Sequence, residues 1–282
     1  MANVIDGKKI ALEMRLDIRK KFEQLKKTGK HPPKLVSVTV GDEKDALLYA
    51  KAQQRAAEEV GVEFEVRKLK ADISQGDLIK TIEELNRDDK VTAVVVQQPL
   101  PPCFEHDRIV SAISPGKDAE GIHPYNLGRI FRREANIVPC TPGAVMKILS
   151  EEKVDLYGKN VVIIGHSPIV GKPLSLMMLN ETATTSVCHI GTAEKGDIKS
   201  YTVRADILVV AVGKAGMVKD DWVKKGAIVI DVGINDVSGR ITGDVDFKKV
   251  SKVASKITPV PGGVGPVTVS ILMRNVLRAY GA

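Results

Sequence analysis

The sequence predicts an α/β protein of two domains, each organised round a parallel sheet. Three observations carry this expectation. The chain has 282 residues, a length at which one core commonly gives way to two. Its longest apolar runs, "VTAVVVQQPL", "NVVIIG", "ADILVVAVG" and "GAIVIDVGI", are strand-sized. Helical patterns lie between them, the alternation of a parallel sheet with crossover helices.

In chain order, a helix is expected near residues 7–28, followed by the strand "KLVSVTV". The helix "YAKAQQRAAEEVG" is closed by Gly61 as a C-cap. Its first turn sets Tyr49 and Gln53 on one face, four residues apart, while Lys51 points away. "EFEVRKL" reads as a strand, residues 75–87 as a helix and "TAVVVQQ" as a strand. From 98 to 142 the rhythm breaks: "QPLPP", "SPGKD", "HPYN" and "VPCTPG" crowd proline and glycine together, as connectors and site-building loops do. A second series starts near residue 158 with the strand "NVVIIG" and a helix near 171–180. The strands "TTSVCHI", "ADILVVAV", "GAIVIDVGI" and "KITPV" follow, and the helix "PVTVSILMRNVLRAY" comes last.

Composition narrows the class. Hydrophobic residues make up 43% of the chain, enough for a buried core and unlike a disordered chain. No apolar run approaches the roughly 20 residues that span a bilayer. "MANVIDGKKIALEMR" holds no apolar signal core, so a cytoplasmic protein with no membrane partner is expected. Cys103, Cys140 and Cys188 are far apart, and the five histidines show no ligand spacing. Neither a disulfide framework nor a metal site is expected. The formal charge of +7 permits a nucleic-acid reading. It is dispersed, however, and its densest stretch, "RKKFEQLKKTGKHPPK", reads as an exposed helix entering a loop. Aromatic residues are only 4% of the chain, so base-stacking platforms are scarce. An acidic small molecule is the expected partner, and nucleic acid is not.

The segment "GHSPIVGKPL" follows a strand and opens a helix. Gly165 permits a tight turn, the small Ser167 lets a diphosphate approach the backbone, and the helix beyond Gly171 offers its N-terminus. The spacing is one residue longer than the standard dinucleotide fingerprint, and alone it is also what an ordinary strand-to-helix turn can contain. Its place before four successive strands, with "AVGKAG" and "DVGIN" at later strand ends, makes a nucleotide-binding domain the expectation. Ribose discrimination usually lies at the end of the second strand. Here "CHIGTAEKG" supplies neither an acid at the tip nor an arginine, only His189, with His166 from the first loop. Lys172 or Lys195 could reach a phosphate. NAD or NADP is expected, the missing arginine favouring NAD.

Several segments together carry a resemblance: "IDGKKIA", "VTVGDEKDALLYAKAQQRAAEEVG", "VVVQQPLP", "PGKDAEGIHPYNLGR", "VPCTPGAV", "IIGHSPIVGKP", "GAIVIDVGIN" with "GDVDF", and "TPVPGGVGPVTVSIL". Collinearly over nearly its full length, the chain resembles the methylenetetrahydrofolate dehydrogenase/cyclohydrolase family. The resemblance implies a folate-binding catalytic domain, residues 1–138 with the last helix, 270–282, returning to it. A Rossmann-type NAD(P)-binding domain would cover 139–269, in a homodimer whose active site lies between the domains. It implies a catalytic set of Tyr49, Gln53, Gln97 and Glu120. Tyr49 and Gln97 would orient the folate, Asp118 or Glu120 would anchor the pterin, and Pro261, Gly262 and Gly263 would shape the floor. Gly165, His166, Ser167, Ile190, Gly213, Ile234, Gly265 and Thr268 would line the dinucleotide. Within that pattern His123 reads as structural, and Cys140 need not react.

Three positions depart from the family pattern. Gln53 stands where the resemblance places a lysine, Gln98 where it places a leucine, and Glu120 where it places an aspartate. The family oxidises 5,10-methylenetetrahydrofolate to the 5,10-methenyl cation by hydride transfer, then hydrolyses that cation to 10-formyltetrahydrofolate. The lysine serves chiefly the second step, which moves protons; an amide does not titrate near neutral pH. Hydride transfer needs positioning instead. The expectation is a dehydrogenase with weak or absent cyclohydrolase activity. The alternatives are a fully bifunctional enzyme, a non-catalytic folate- or nucleotide-binding paralogue, and an enzyme for a related one-carbon carrier.

Overall fold

In the computed structural model, residues 1–27 and 31–281 are described. Residues 28–30 of the basic stretch, and with them the expected end of the first helix, lie outside the described residues. The elements in chain order are β1 (Asn3–Val4), α1 (Gly7–Lys26), β2 (Lys34–Val40), α2 (Lys44–Val60), β3 (Glu63–Leu69), α3 (Gln75–Arg87), β4 (Ala93–Val96), α4 (His106–Ala112) and α5 (Pro124–Phe131). There follow α6 (Cys140–Glu151), β5 (Asn160–Ile164), α7 (Gly171–Asn180), β6 (Thr184–Cys188), α8 (Ile190–Glu194), α9 (Ile198–Thr202), β7 (Ile207–Val210) and β8 (Ile228–Asp231). Last come β9 (Asn235–Val237), β10 (Arg240–Thr242), α10 (Phe247–Val250), β11 (Lys256–Ile257) and α11 (Val264–Gly281).

The chain divides into two compact units, residues 1–11 with 141–268 and residues 12–140 with 269–282. The sequence had put breaks at 138/139 and 269/270 and the first eleven residues with the catalytic domain. Those eleven residues go to the other unit because β1 pairs in parallel with β11, Asn3 opposite Lys256 and Val4 opposite Ile257.

The unit of residues 12–140 holds a three-stranded parallel sheet in the order β3-β2-β4. Strand β2 is buried along nearly its whole length. Val36, Val38 and Val40 pack with Leu78, Ile82 and Leu85 of α3 on one face. Full burial of each such side chain contributes about 1.5–3 kcal/mol. Two caps bound the helices, of which the sequence reading had named Gly61. Ser74 Oγ accepts the Asp77 N–H at 3.1 Å to start α3. Gly61, at φ 78°, closes α2 and returns its N–H to Ala57 and Glu58. The chain passes from β2 to β3 on one side and then to β4 on the other. The carboxyl ends of β2 and β4 therefore flank a switch point, where open α/β sheets place their ligands.

The other unit holds a six-stranded sheet in the order β1-β11-β8-β7-β5-β6, all of its pairings parallel. A separate antiparallel hairpin, β9–β10, stands beside it in sequence. Val162, Ile164, Leu208, Val210 and Val229 fill one core of the sheet. From β5 the chain goes outward to β6 and then to β7 on the opposite side, so a second switch point lies at Gly165 and Ala211. Among the described residues, no helix is long and apolar enough to cross a membrane.

Candidate active site

Strand β2 carries its polar residues at alternate positions, "VSVTV", so that Ser37 and Thr39 share the face opposite the valine core. Helix α2 brings Gln53 to them. Gln53 is completely buried, and its Oε1 accepts a hydrogen bond from Gln97 Nε2 at 2.7 Å. Gln97, just past β4, also donates from Nε2 to Ser37 Oγ at 2.9 Å. Tyr49, one turn before Gln53, lies beside Gln53, Glu120 and Cys140. Burial holds its phenol above the ordinary range; the charges of Cys140 and Glu120 add to this and Gln53 opposes it. Tyr49 and Gln53 thus share an inward-turned face rather than a solvated helix start, while Lys51 is exposed.

The segment 118–120 runs along β4, Asp118 bridging in parallel to Val94. The two acids there have different duties. Asp118 accepts the N–H groups of Gly121 and His123 at 2.9 and 2.8 Å and Asn126 Nδ2 at 2.9 Å. Its oxygens are spent on shaping the loop, and burial raises its pKa despite them. Glu120 has no side-chain hydrogen bond to any described residue. Burial, with the Asp118 charge second, pushes its pKa up to about 8. Of the two acids proposed for the pterin, only Glu120 keeps its carboxyl free for one. His123 caps α5, its Nδ1 accepting the Tyr125 N–H at 3.0 Å.

Among the described residues of this unit, five buried side-chain atoms have no protein partner: Thr39 Oγ1, Gln53 Nε2, Gln98 Nε2, Arg274 Nε and Asn275 Oδ1. The first three belong to residues at or facing the carboxyl ends of β2 and β4. Unpartnered buried donors are uncommon in folded proteins and point to a polar ligand. Cys140 is buried, its thiol raised well above the ordinary value by burial and then by Glu120 and Asp118. Such a thiol is a poor nucleophile. Asn275 of α11 ties this region together by donating Nδ2 to the carbonyls of Ala119 and Val138 at 2.9 and 2.8 Å.

In the other unit, Gly165, His166 and Ser167 occupy the turn after β5. Gly165 has φ 120°, and a Cβ there would meet the Ala211 carbonyl oxygen at 2.3 Å. A Cβ on Gly171 would meet the Gly165 carbonyl oxygen at 2.0 Å. These contacts press strand, loop and helix together at the switch point. Ser167 Oγ accepts the Val170 N–H at 3.1 Å. Ile190, Gly213 and Ile234 follow β6, β7 and β8 in turn, and both isoleucines are two-thirds exposed. Pro261, Gly262 and Gly263 join β11 to α11, in which Gly265 falls in the first turn. The Thr268 hydroxyl donates to the Val264 carbonyl of its own helix at 3.2 Å.

Sequence reasoning missed two residues that hold the rim of this unit. Asp244, fully buried, accepts the N–H groups of Val212, Gly213 and Lys214 at 2.7, 3.0 and 2.7 Å. It also accepts Asn235 Nδ2 at 2.9 Å. Asp231 accepts the N–H groups of Gly233, Asp244 and Val245 at 3.1, 3.0 and 2.9 Å. Burial pushes Asp231 up to about 6 against those bonds. The signal was the pair "DVGIN" and "GDVDF", with an acid within two residues of a glycine in each. Gly233 and Gly243 have no room for a side chain against Asp244 and Asp231.

Two family profiles match the chain. Residues 5–120 match "tetrahydrofolate dehydrogenase/cyclohydrolase, catalytic domain" and residues 139–282 match the "NAD(P)-binding domain" of the same family. The chain belongs to the tetrahydrofolate dehydrogenase/cyclohydrolase family. The protein named "Bifunctional protein FolD" from Methanosarcina mazei is 45% identical over 276 residues, 98% of this chain and 95% of that one. Its namesake from Bacillus licheniformis is 42% identical over 279 residues, 99% of this chain and 97% of that one. The crystal structure of bifunctional FolD from Campylobacter jejuni superposes with a TM-score of 0.96 at 42% identity, covering 100% of this chain and 99% of that chain. The Trypanosoma brucei enzyme, solved with NADP and an inhibitor, gives 0.93 at 38% identity, over 99% of this chain and 97% of that chain. The family architecture of a catalytic and an NAD(P)-binding α/β domain is thus the architecture of this chain.

Proposed function

We infer that the protein oxidises 5,10-methylenetetrahydrofolate to the 5,10-methenyl form by hydride transfer to a nicotinamide dinucleotide, and that it hydrolyses the methenyl product weakly or not at all. The observation that carries the second half is Gln53, a buried amide bonded to Gln97 where the family resemblance sets a lysine. The amide can hold Gln97 and a folate in place but cannot exchange a proton near neutral pH. Hydride transfer keeps what it needs: a positioned carbon and a positioned nicotinamide. The Glu120 carboxyl, with no hydrogen bond to a described residue, supports a role as the pterin anchor, and Tyr49 and Gln97 are read as the groups that orient the folate. NAD is favoured over NADP by the missing arginine after β6. The reading is of a homodimer, as the family resemblance implies, and of a cytoplasmic protein.

A second reading, full bifunctionality, has the support of the comparisons. The relatives at 42–45% identity are named bifunctional, and on this point they favour it over the first reading. One feature of the site also favours it: the Glu120 carboxyl, titrating at about 8, can exchange a proton where Gln53 cannot. The deciding experiment supplies 5,10-methylenetetrahydrofolate with NAD or NADP and follows reduced nucleotide, methenyl and 10-formyl products separately. Methenyl accumulating in step with reduced nucleotide supports the first reading. A 10-formyl product forming faster than unaided hydrolysis establishes the second. No reduced nucleotide with either coenzyme leaves a non-catalytic paralogue or a different carrier.

A further inference from the structure

Resting on the dehydrogenase reading, we propose that Ile190 and the paired rings of His166 and His189 make the adenosine end of the coenzyme site selective for a free ribose 2′-hydroxyl, and so for NAD over NADP. In a sheet of this order, the dinucleotide lies across the carboxyl ends of the strands. Its diphosphate sits at the turn after the first strand and its adenosine ribose at the end of the second. Those places are the turn at Gly165 and the end of β6. The β6 end delivers His189 and then Ile190, the first residue of the short helix α8. Ile190 is 67% exposed, an apolar side chain held in the open just where the second ribose would come.

The two histidines meet across the strand ends. Their ring centroids are 5.2 Å apart, with the planes tilted by 52°. The two rings are tilted to one another, so one of them at a time can offer an adenine an aromatic face. The backbone N–H of His189 donates to Thr192 Oγ1 at 3.3 Å, which fixes the start of α8.

A 2′-phosphate brings close to two negative charges and loses water on binding. It is bound well only where charge-assisted hydrogen bonds replace that water. Neither 165–172 nor 188–197 contains an arginine. Lys172 in the first turn of α7 and Lys195 at the end of α8 are exposed, and Glu194 and Asp197 share the second segment. These lysines attract any nucleotide at long range but present no fork to a phosphate. A 2′-hydroxyl makes no such demand, and Ile190 excludes water from its apolar edge.

The test measures binding of NAD and of NADP by calorimetry without folate, and kcat/KM with each, for the natural chain and for Ile190→Arg. The natural chain is expected to bind NAD at least about 10-fold more tightly. Ile190→Arg is expected to raise NADP affinity about 10–100-fold, the scale of one new charge-assisted hydrogen bond, and to weaken NAD by a smaller factor as the apolar contact is lost. Tighter NADP binding by the natural chain overturns the proposal, as does an NAD-to-NADP ratio that Ile190→Arg leaves unchanged, or no binding of either coenzyme. NAD binding without hydride transfer sinks the dehydrogenase reading and leaves this one standing.

Discussion

Replacing Gln53 by lysine puts the central reasoning to its hardest test. In the natural chain Gln97 Nε2 has two acceptors, Gln53 Oε1 at 2.7 Å and Ser37 Oγ at 2.9 Å. Lysine accepts nothing, so Gln53→Lys removes the first and leaves the second. The lost bond and the burial of an amine should together cost about 1–3 kcal/mol. That is enough to lower Tm by a few degrees without unfolding the chain. Burial lowers the pKa of the new amine, bringing it into the range of a proton carrier. General acid–base catalysis is worth about 10²–10⁴-fold, so methenyl hydrolysis should rise by at least about 100-fold. Hydride transfer should fall, because an ammonium now faces a product that is itself a cation. A repulsion of ~1.4 kcal/mol corresponds to about tenfold in rate. The assay follows methenyl absorbance at pH 7, with the unaided rate subtracted, beside reduced nucleotide. The reasoning is refuted if the natural chain already hydrolyses methenyl as fast as it forms it. It is refuted equally if folded Gln53→Lys binds folate but leaves hydrolysis at the unaided rate.

Three more outcomes are expected. Glu120 has a folded pKa of about 8, raised above the ordinary 4.5 by burial. The fold therefore favours its protonated form, and the stability this gives is complete below about 4.5 and lost as pH rises through 8. Glu120→Gln should melt near the natural chain at pH 5 and be more stable at pH 9 by roughly 2–4 kcal/mol; equal midpoints at pH 9 would contradict the burial. Asp244→Ala strands the N–H groups of Val212, Gly213 and Lys214, at about 1–3 kcal/mol each before water enters. Its urea midpoint should drop sharply, and Asp244→Asn, which keeps one acceptor oxygen, should lie between. Gly171→Ala drives a methyl into the Gly165 carbonyl, so dinucleotide affinity should fall at least about tenfold, a loss of ~1.4 kcal/mol, while folate binding persists; unchanged calorimetric affinity would mean that the loop gives way.

The sequence showed those parts of the fold that are written locally. Helix α3 begins and ends at the expected residues because Ser74 caps it and Leu78, Ile82 and Leu85 repeat with helical spacing. Strand β3 was visible as a bounded run of seven residues. By contrast, β1 is two residues long and pairs with a strand about 250 residues away, and no periodicity of so short a piece announces such a partner. The site divides in the same way. Tyr49 and Gln53 were placed together by helix geometry, and their surroundings bear that out. Which of Asp118 and Glu120 stays free depends on where Gly121, His123 and Asn126 direct their N–H groups, a matter of loop tertiary structure. Ser37 was readable from the alternation in "VSVTV" once a partner on that face was known. Asp231 and Asp244 were quoted in their motifs, but their reach across three loops was not legible.

The carboxylate of Asp244 has a bearing on the timing of events at the nucleotide domain. Three consecutive N–H groups converge on it, in the kind of concavity that elsewhere waits for an anion to enter. Here the anion is built in. The entropy of ordering residues 212–214 is lost once, when the chain folds, and not again with each coenzyme that arrives. Encounter should consequently resemble docking onto a finished surface, with residence time rather than loop closure setting how fast coenzyme turns over.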